Sequence, residues 1–332
     1  MTQTPQIRVD AIRKVFDDGM HNAFTDLCWF RGELYLTFRS CPDGHMVFPT
    51  SKIVVLRSPD GGEWRKVFEF SVPLRDVRDP HFLVFQNKLF VYSGAWLCNP
   101  CTPGVFDVND HLGYAAWTAD GAAWQGPRSM EGTYGHYVWR AAAFGGKAYL
   151  CARRVRDFTP TEKDAPFPAV RESALLESDD GLVWKWAGLF HDDGGDETAF
   201  VFEDDGAIVA VARTRANACL CQAKPPYRQW TRADLGRFIG GPLLARWGKR
   251  LLVGGRKRLA DNQPRTVLSW LVDGRLEDVV ELPSGGDTSY PGFAPFSDTR
   301  GLVSWYSSHE GSGATKPPCS IYLAELSLPA GA

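Results

Sequence analysis

The chain has 332 residues, 44% of them hydrophobic, and a formal net charge of −2. That balance excludes a global field for nucleic acid or an anionic membrane surface, and no apolar run approaches the roughly 18 residues that a membrane-crossing helix needs. With 13% aromatic residues, 12 Trp, 33 Gly and 22 Pro, it reads as an all-β protein with many turns.

The N-terminal MTQTPQIRVDAIRK contains one strand-like run, QIRVDAIRK, and no apolar signal region, so a cytoplasmic location is expected. Four strands follow: FTDLCWF, GELYLTFRS, KIVVLRS and RKVFEFS. The last two are joined by SPDGGEW at 58–64. A second set comprises PHFLVF, KLFVYSG, GYAAWT and the strand after Trp124, with TADGAAW at 118–124. A third comprises VWRAAAF, KAYLCAR, ALLES and VWKWAGLF, with SDDGLVW at 178–184. The three turns recur every 60 residues. In each, Ser or Thr is followed two residues later by Asp, then Gly, and Trp closes the motif. Asp bonds the backbone amides ahead of it, Gly takes a conformation that side chains oppose, and Trp buries a large ring.

Later sets keep the outline without the Asp-Gly turn. TAFVFE, AIVAVART, ACLCQA and a strand near Trp230 form the fourth, turned by KPPYRQW. PLLARW, RLLVGGR, VLSWLV and EDVVEL form the fifth. YPGFAPF, GLVSWYS and SIYLAELS supply only three strands of the sixth. Four-strand repeats of roughly 40–60 residues predict a six-bladed β-propeller, one domain over 1–332. The N-terminal strand, about 6–16, completes the last blade and closes the ring. A five- or seven-bladed ring and a β-sandwich are the rival folds.

Eight Cys do not read as a disulfide framework in a chain this long. Cys28, Cys151 and Cys219 lie in strand-like runs, and the Cys98/Cys101 pair lacks the second pair or His of a zinc site. Free thiols are expected, with no metal and no organic cofactor.

Strands alternate in direction, so the starts of first strands and the ends of second strands share one face near the central channel. The repeated turns belong to the other face. First-strand starts carry Asp26, Arg78 and Asp79, Trp139 and Arg140, Asp196 and Glu197, and Asp287 to Tyr290. Second-strand ends carry Arg39, Arg153 and Arg154, Arg213, Arg256, and His309 with Glu310. Long loops follow several of these ends, one of them holding Asp43 and His45, and long loops on a rigid scaffold are where binding usually resides. Singly, each Arg is an ordinary edge charge and His45 or His81 an ordinary loop or core histidine. Their convergence on one mouth predicts a site.

The three Asp-Gly-Trp turns resemble the repeat of the Asp-box sialidase superfamily, and the likeness runs over essentially the whole chain. HNAFTDL, RDP, GGDTSYPG and YSSHEG also make it similar to bacterial sialidase-like proteins of unsettled substrate. The resemblance implies Tyr290 as nucleophile and Glu197 as its base. Arg213, sixteen residues after Glu197, and Arg256 in LLVGGRKR look like two of the three carboxylate-binding arginines. Glu310 falls where such enzymes buttress the first Arg. One departure is evident: the blade-one Arg-Ile-Pro motif is replaced by HNAFTDL, which leaves Arg39 or Arg78 to supply that charge. Asp43, Asp26 and Asp79 compete as acid/base.

These residues imply a glycoside hydrolase for an anionic sugar (a sialic, ulosonic or uronic acid) with His45, Trp139 and Arg140 as further substrate contacts. No nucleic-acid or membrane partner is implied. Two alternatives use the same face. One is a uronate lyase that relies on Tyr290 with His45 or His81. The other is a non-catalytic sugar-binding propeller that stacks sugars on Trp96, Trp139 and Trp305.

Overall fold

Alternating apolar runs bounded by Gly, Asp and Pro turns form strands wherever the sequence predicts them. The computed structural model describes residues 4–99, 106–161, 169–258, 263–311 and 318–329. The first strand is β1 (Arg8–Phe16). Blade one comprises β2 (His21–Phe30), β3 (Glu33–Cys41), β4 (Lys52–Ser58) and β5 (Arg65–Phe70). Blade two comprises β6 (Arg75–Phe85), β7 (Lys88–Leu97), β8 (Leu112–Thr118) and β9 (Trp124–Ser129). Blade three comprises β10 (His136–Phe144), β11 (Lys147–Val155), β12 (Arg171–Ser178) and β13 (Lys185–His191). Blade four comprises β14 (Thr198–Phe202), β15 (Ile208–Ala212), β16 (Cys219–Ala223) and β17 (Trp230–Asp234). Blade five comprises β18 (Gly240–Trp247), β19 (Arg250–Arg258), β20 (Pro264–Val272) and β21 (Arg275–Leu282). Blade six comprises β22 (Thr288–Ser297), β23 (Arg300–Ser307) and β24 (Ser320–Ser327).

Each blade is a four-stranded antiparallel sheet, and the sixth has the order β1-β24-β23-β22. The N-terminal strand thus closes the ring, with Arg8 opposite Ser327 and Phe16 opposite Ile321. The fold is an all-β, six-bladed β-propeller. First strands pack side by side around the axis, each against the first strands of its two neighbours. Apolar clusters fill the seams between blades: Phe82 and Val55 at the first seam, Trp184 and Leu176 with Tyr92 at the second, and Trp247, Trp270 and Trp305 at the last.

The repeated turns act as staples between blades. In the second, Gly121 N–H bonds Thr118 Oγ1 at 2.9 Å, and the Ala122 and Ala123 N–H groups bond Asp120 Oδ1 at 2.8 Å. Gly121 has φ +79°, and an added Cβ would run into the Tyr35 hydroxyl of blade one. The third turn repeats this against blade two, where Tyr92 Oη donates to Gly181 O at 3.0 Å. In the fourth set the turn reaches blade three through the Tyr227 ring, which meets Tyr149 edge-on at 5.8 Å, while Tyr227 Oη donates within its own blade to Gly206 O at 2.9 Å.

Five first strands carry a bulge close to their start. The register slips between Ala23 and Asp26, Arg78 and His81, Val138 and Ala141, Gly240 and Leu243, and Ser289 and Gly292. A bulge frees the local ladder, so Pro is tolerated there. Pro80, Pro242 and Pro291 take these positions. The residue just before turns left-handed in Phe24 (φ 64°), Asp79 (φ 51°), Gly241 (φ 58°) and Tyr290 (φ 52°). Such conformations cost energy in non-glycine residues and gather at functional sites. Here they set Phe24, Asp79 and Tyr290 around one opening.

Candidate active site

Tyr290 and Glu197 come from blades six and four. Tyr290 Oη donates to Glu197 Oε1 at 2.7 Å. The second carboxylate oxygen accepts from Arg213 Nη1 at 2.7 Å and from Gly241 N–H at 3.0 Å. Arg213 Nη1 also lies 3.3 Å from Tyr290 Oη. Glu197 sits where it does because its carbonyl and Arg213 N–H extend the β14–β15 ladder by one rung. The left-handed backbone at Gly241 leaves room for the phenol, since a Cβ there would meet the Tyr290 ring at 2.6 Å. Phe24, Trp139 and Tyr306 pack around that ring with centroids 4.9, 5.3 and 6.0 Å away. Burial pushes the Tyr290 hydroxyl well above its ordinary pKa, and the Glu197 charge adds to this against Arg213 and Arg256.

Asp79 is buried at the same mouth. Burial pushes its carboxyl up to about 6, with Glu197 adding and Arg78 and the Tyr137 hydroxyl opposing. Tyr137 Oη donates to Asp79 Oδ2. The other oxygen, Oδ1, has no hydrogen-bond partner among the described residues. A carboxyl so placed is half protonated near pH 6, and its buried Oδ1 has no competing donor among the described residues.

Arg256 flanks Tyr290 from blade five, with its guanidinium carbon 5.9 Å from the ring centroid. Only one fifth of its side chain is exposed, and its sole ion pair among the described residues is a loose 3.7 Å approach to Asp287. Asp287 is itself heavily engaged, accepting from His21 at 2.9 Å, His45 at 2.5 Å and Tyr306 at 2.9 Å. Burial would raise its pKa, but the bonds to His21 and His45 hold it far below the usual carboxylate range.

His21, His45 and Asp287 lie close enough together to hold a cation. The neighbouring chemistry does not fit one. Arg39 Nη1 lies 3.4 Å from His21 Nδ1, so Nδ1 accepts and the ring proton sits on Nε2, facing Asp287. A metal on Nε2 would turn an Nδ1 proton toward the guanidinium.

Several expected contacts lie elsewhere. Arg39 is completely buried. It holds Asp76 at 3.0 Å and the Gly44 and Met46 carbonyls at 3.0 Å each, so its donors shape the loop after β3. Asp26 and Arg140 form a buried pair at 2.9 Å in the central channel. Arg140 also donates to Pro242 O at 2.9 Å and Pro291 O at 2.6 Å, while Asp26 accepts from Phe82 N–H at 2.9 Å. This pair ties five blades together, and the guanidinium spends its donors on protein oxygens. Trp139 is buried beneath Tyr290, and Trp305 is fully buried in a blade seam. Neither offers a sugar-stacking face. Trp96, partly exposed, packs against His111 and Tyr137.

Glu310 is half exposed and pairs with Lys14 of β1 at 2.9 Å instead of buttressing an arginine. Asp43 accepts from Thr50 Oγ1 in the exposed loop after β3. His81 is buried beside Trp139, and burial, helped by Arg140, lowers its pKa to about 4. His45 is separated from Tyr290 by the Phe24 ring, which lies 5.7 Å from one and 4.9 Å from the other. The histidine–tyrosine pair required by a lyase is therefore not assembled. Arg78 is buried with its guanidinium carbon 5.1 Å from the Phe24 ring centroid, and it donates to His45 O. Cys98 is a free buried thiol, and Cys101 lies outside the described residues. Phe24, Tyr137 and Gly241 are site residues that strand-start reasoning missed. Lining up the bulges, with their following Pro in three blades, would have found Phe24 and Gly241.

A cavity of about 350 Å³ opens beside His45 and Asp287, lined also by Asp43, Met46 and Phe48. A larger one, about 890 Å³, lies against Pro225, Pro226 and Trp230 on the blade-four rim. It holds none of the groups bonded to Tyr290, so the chemistry points to the mouth. No helix among the described residues is long and apolar enough to cross a membrane.

The fold and mouth thus define a six-bladed propeller with a buried Tyr–Glu–Arg cluster at one end of its axis. Its structural neighbours are sialidase-like propellers. A protein of unknown function from Dyadobacter fermentans superposes with a TM-score of 0.80 at 22% identity, covering 98% of this chain and all of that one. The Trypanosoma rangeli sialidase in complex with the inhibitor DANA gives a TM-score of 0.68 at 15% identity; 96% of this chain covers 58% of that enzyme. The phage phi92 endosialidase gives 0.65 at 10% identity, with 96% and 69% covered. At these identities the likeness is one of fold. No family model matches the chain, and no curated protein does.

Proposed function

We propose that the mouth is the active site of a glycoside hydrolase acting on a carboxylate-bearing sugar. The observation that carries this reading is the buried hydrogen bond from Tyr290 Oη to Glu197 Oε1, with Arg213 bridging both. A free phenol has a pKa near 10 and is a weak nucleophile at neutral pH. Glu197 accepts its proton as the phenol oxygen attacks the anomeric carbon and the glycosidic bond breaks. Arg213 and Arg256 offset the negative charge and present N–H groups to the sugar carboxylate. Arg78, above Phe24, supplies cationic charge from blade two, since the first strand of blade one, HNAFTDLCWF, has no arginine.

Asp79 gives its proton to the leaving oxygen. As a carboxylate it then takes a proton from water, whose oxygen attacks the anomeric carbon and releases Tyr290, and the phenol recovers its proton from Glu197. A phenol in place of the usual carboxylate nucleophile avoids setting a full negative charge against an anionic substrate.

The test is hydrolysis of a panel of fluorogenic aryl sialosides, ulosonides and uronides by the wild type and by Tyr290→Phe and Glu197→Gln. The wild type is expected to turn over at least one acidic glycoside and no neutral one. Each variant should lose roughly 10²–10⁴ in kcat. A Tyr290→Phe enzyme with wild-type kcat would remove the phenol from the mechanism.

A further inference from the structure

Between blades three and four the mouth carries more positive charge than hydrolysis uses. The register of β11 and β12 pairs Arg153 with Ser173 and Val155 with Arg171. The two arginines are therefore diagonal neighbours on one face of the blade. Arg213 and Arg215 come within electrostatic reach from blade four. Two carboxylates answer this group: Asp196 pairs with Arg153 at 2.7 Å and Glu197 with Arg213 at 2.7 Å. The side chains of Arg171 and Arg215 make no hydrogen bond or ion pair among the described residues. Arg171 is only partly exposed. Burial, and then Arg153, Arg215 and Arg213, lower its pKa from the ordinary arginine value, with Asp196 opposing. Packing like charges together without a partner costs stability unless a bound anion offsets it.

We propose that Arg171, with Arg153 and Arg215, forms a second oxyanion subsite, distinct from the Arg213–Arg256 pair, that receives another acidic group of the ligand. A guanidinium fork suits a sulfate ester, a phosphate ester or a second carboxylate. The inference rests on the proposed function only for the sugar that carries this group; capture of a simple oxyanion does not depend on turnover. The substrate class becomes a multiply acidic glycan in place of a sugar with one carboxylate. Arg153 is held by Asp196 and stacked 4.7 Å from the Tyr137 ring, so it is preset, while Arg171 and Arg215 supply the free donors.

The experiment is isothermal titration calorimetry of the full chain at low ionic strength with sodium sulfate and, separately, sodium acetate. Wild type, Arg171→Ala and Arg256→Ala are compared. Sulfate affinity should fall at least tenfold in Arg171→Ala and stay within twofold in Arg256→Ala. Acetate weakened equally in Arg171→Ala assigns the group to a carboxylate; sulfate alone weakened assigns it to an ester. Arg171→Ala removes no hydrogen bond, so its melting temperature without anion should equal or exceed that of the wild type. Three results overturn the proposal: no sulfate heat in the wild type, sulfate binding lost in Arg256→Ala but kept in Arg171→Ala, or equal loss in both. Sulfate bound through Arg171 without turnover of any acidic glycoside would leave the subsite standing and sink the hydrolase. Turnover with sulfate binding indifferent to Arg171 would do the reverse.

Discussion

Asp79→Asn is expected to make the protein more stable and less active at the same time. Burial and the Glu197 charge lift the Asp79 pKa to about 6 from an ordinary value of 3.8. The folded state therefore holds this proton more tightly than the unfolded chain does. The stabilising contribution of the protonated acid is full below pH 4 and is lost as pH rises through 6. A difference of roughly two units corresponds to about 3 kcal/mol above that window. Asparagine has nearly the same shape, stays neutral and still accepts from the Tyr137 hydroxyl, so it removes the penalty. For 332 residues, an unfolding entropy of about 2.1 cal/mol/K per residue gives about 0.7 kcal/mol/K, and the gain becomes about 4 °C in Tm at pH 7.5. The gap should shrink as pH falls through 6 and approach zero only below about pH 4. Differential scanning calorimetry across that range reads it directly. Asparagine cannot deliver a proton, so kcat should fall roughly 10²–10⁴-fold, and the wild-type decline in activity above about pH 6 should disappear. A variant that melts below the wild type at pH 7.5, or a Tm gap that does not change with pH, would refute the reasoning.

Arg140→Ala leaves Asp26 charged and buried without its partner, which costs about 3–5 kcal/mol, or about 4–7 °C on the same scale. It also frees Pro291 O beside Tyr290, so activity should drop with stability, and calorimetry with the fluorogenic assay checks both. Gly121→Ala places a side chain in a left-handed turn against the Tyr35 hydroxyl. A loss of about 2–4 kcal/mol is expected, visible as a lower denaturation midpoint with kcat unchanged, because this turn lies on the face opposite the mouth.

The ring was legible because its signals are local. Period-two runs gave the strands, and Ser/Thr-x-Asp-Gly with a following Trp gave three turns at a fixed interval. The three-strand sixth set forecast the pairing of β1 with β24. Glu197, Arg213 and Tyr290 were legible too, since strand starts and ends fix the face. What could not be read was the rotation at each bulge. Within one dipeptide neighbouring side chains part ways, as Tyr290 meets Glu197 at the mouth while Pro291 packs toward Gly254 of blade five. Arg140 therefore runs inward to Asp26 although it follows Trp139 at a strand start. Charge pattern carries no sign of this, because a buried Arg–Asp tie and a ligand-binding Arg look alike along the chain. Arg39 is hidden for another reason: the loop that follows it folds back and takes up its donors through the Gly44 and Met46 carbonyls. Glu310 was drawn outward by Lys14 on β1, a contact set by ring closure from the far end of the chain.

The central claim is that Tyr290 forms the bond to the sugar. Incubation with a 3-fluoro acidic glycosyl fluoride, followed by intact-protein and peptide mass spectrometry, tests it most directly. The account predicts one added glycosyl unit on the peptide that contains Tyr290, absent in Tyr290→Phe and slow to form in Glu197→Gln. Label found on a carboxylate residue instead, or equal labelling of Tyr290→Phe, would contradict it.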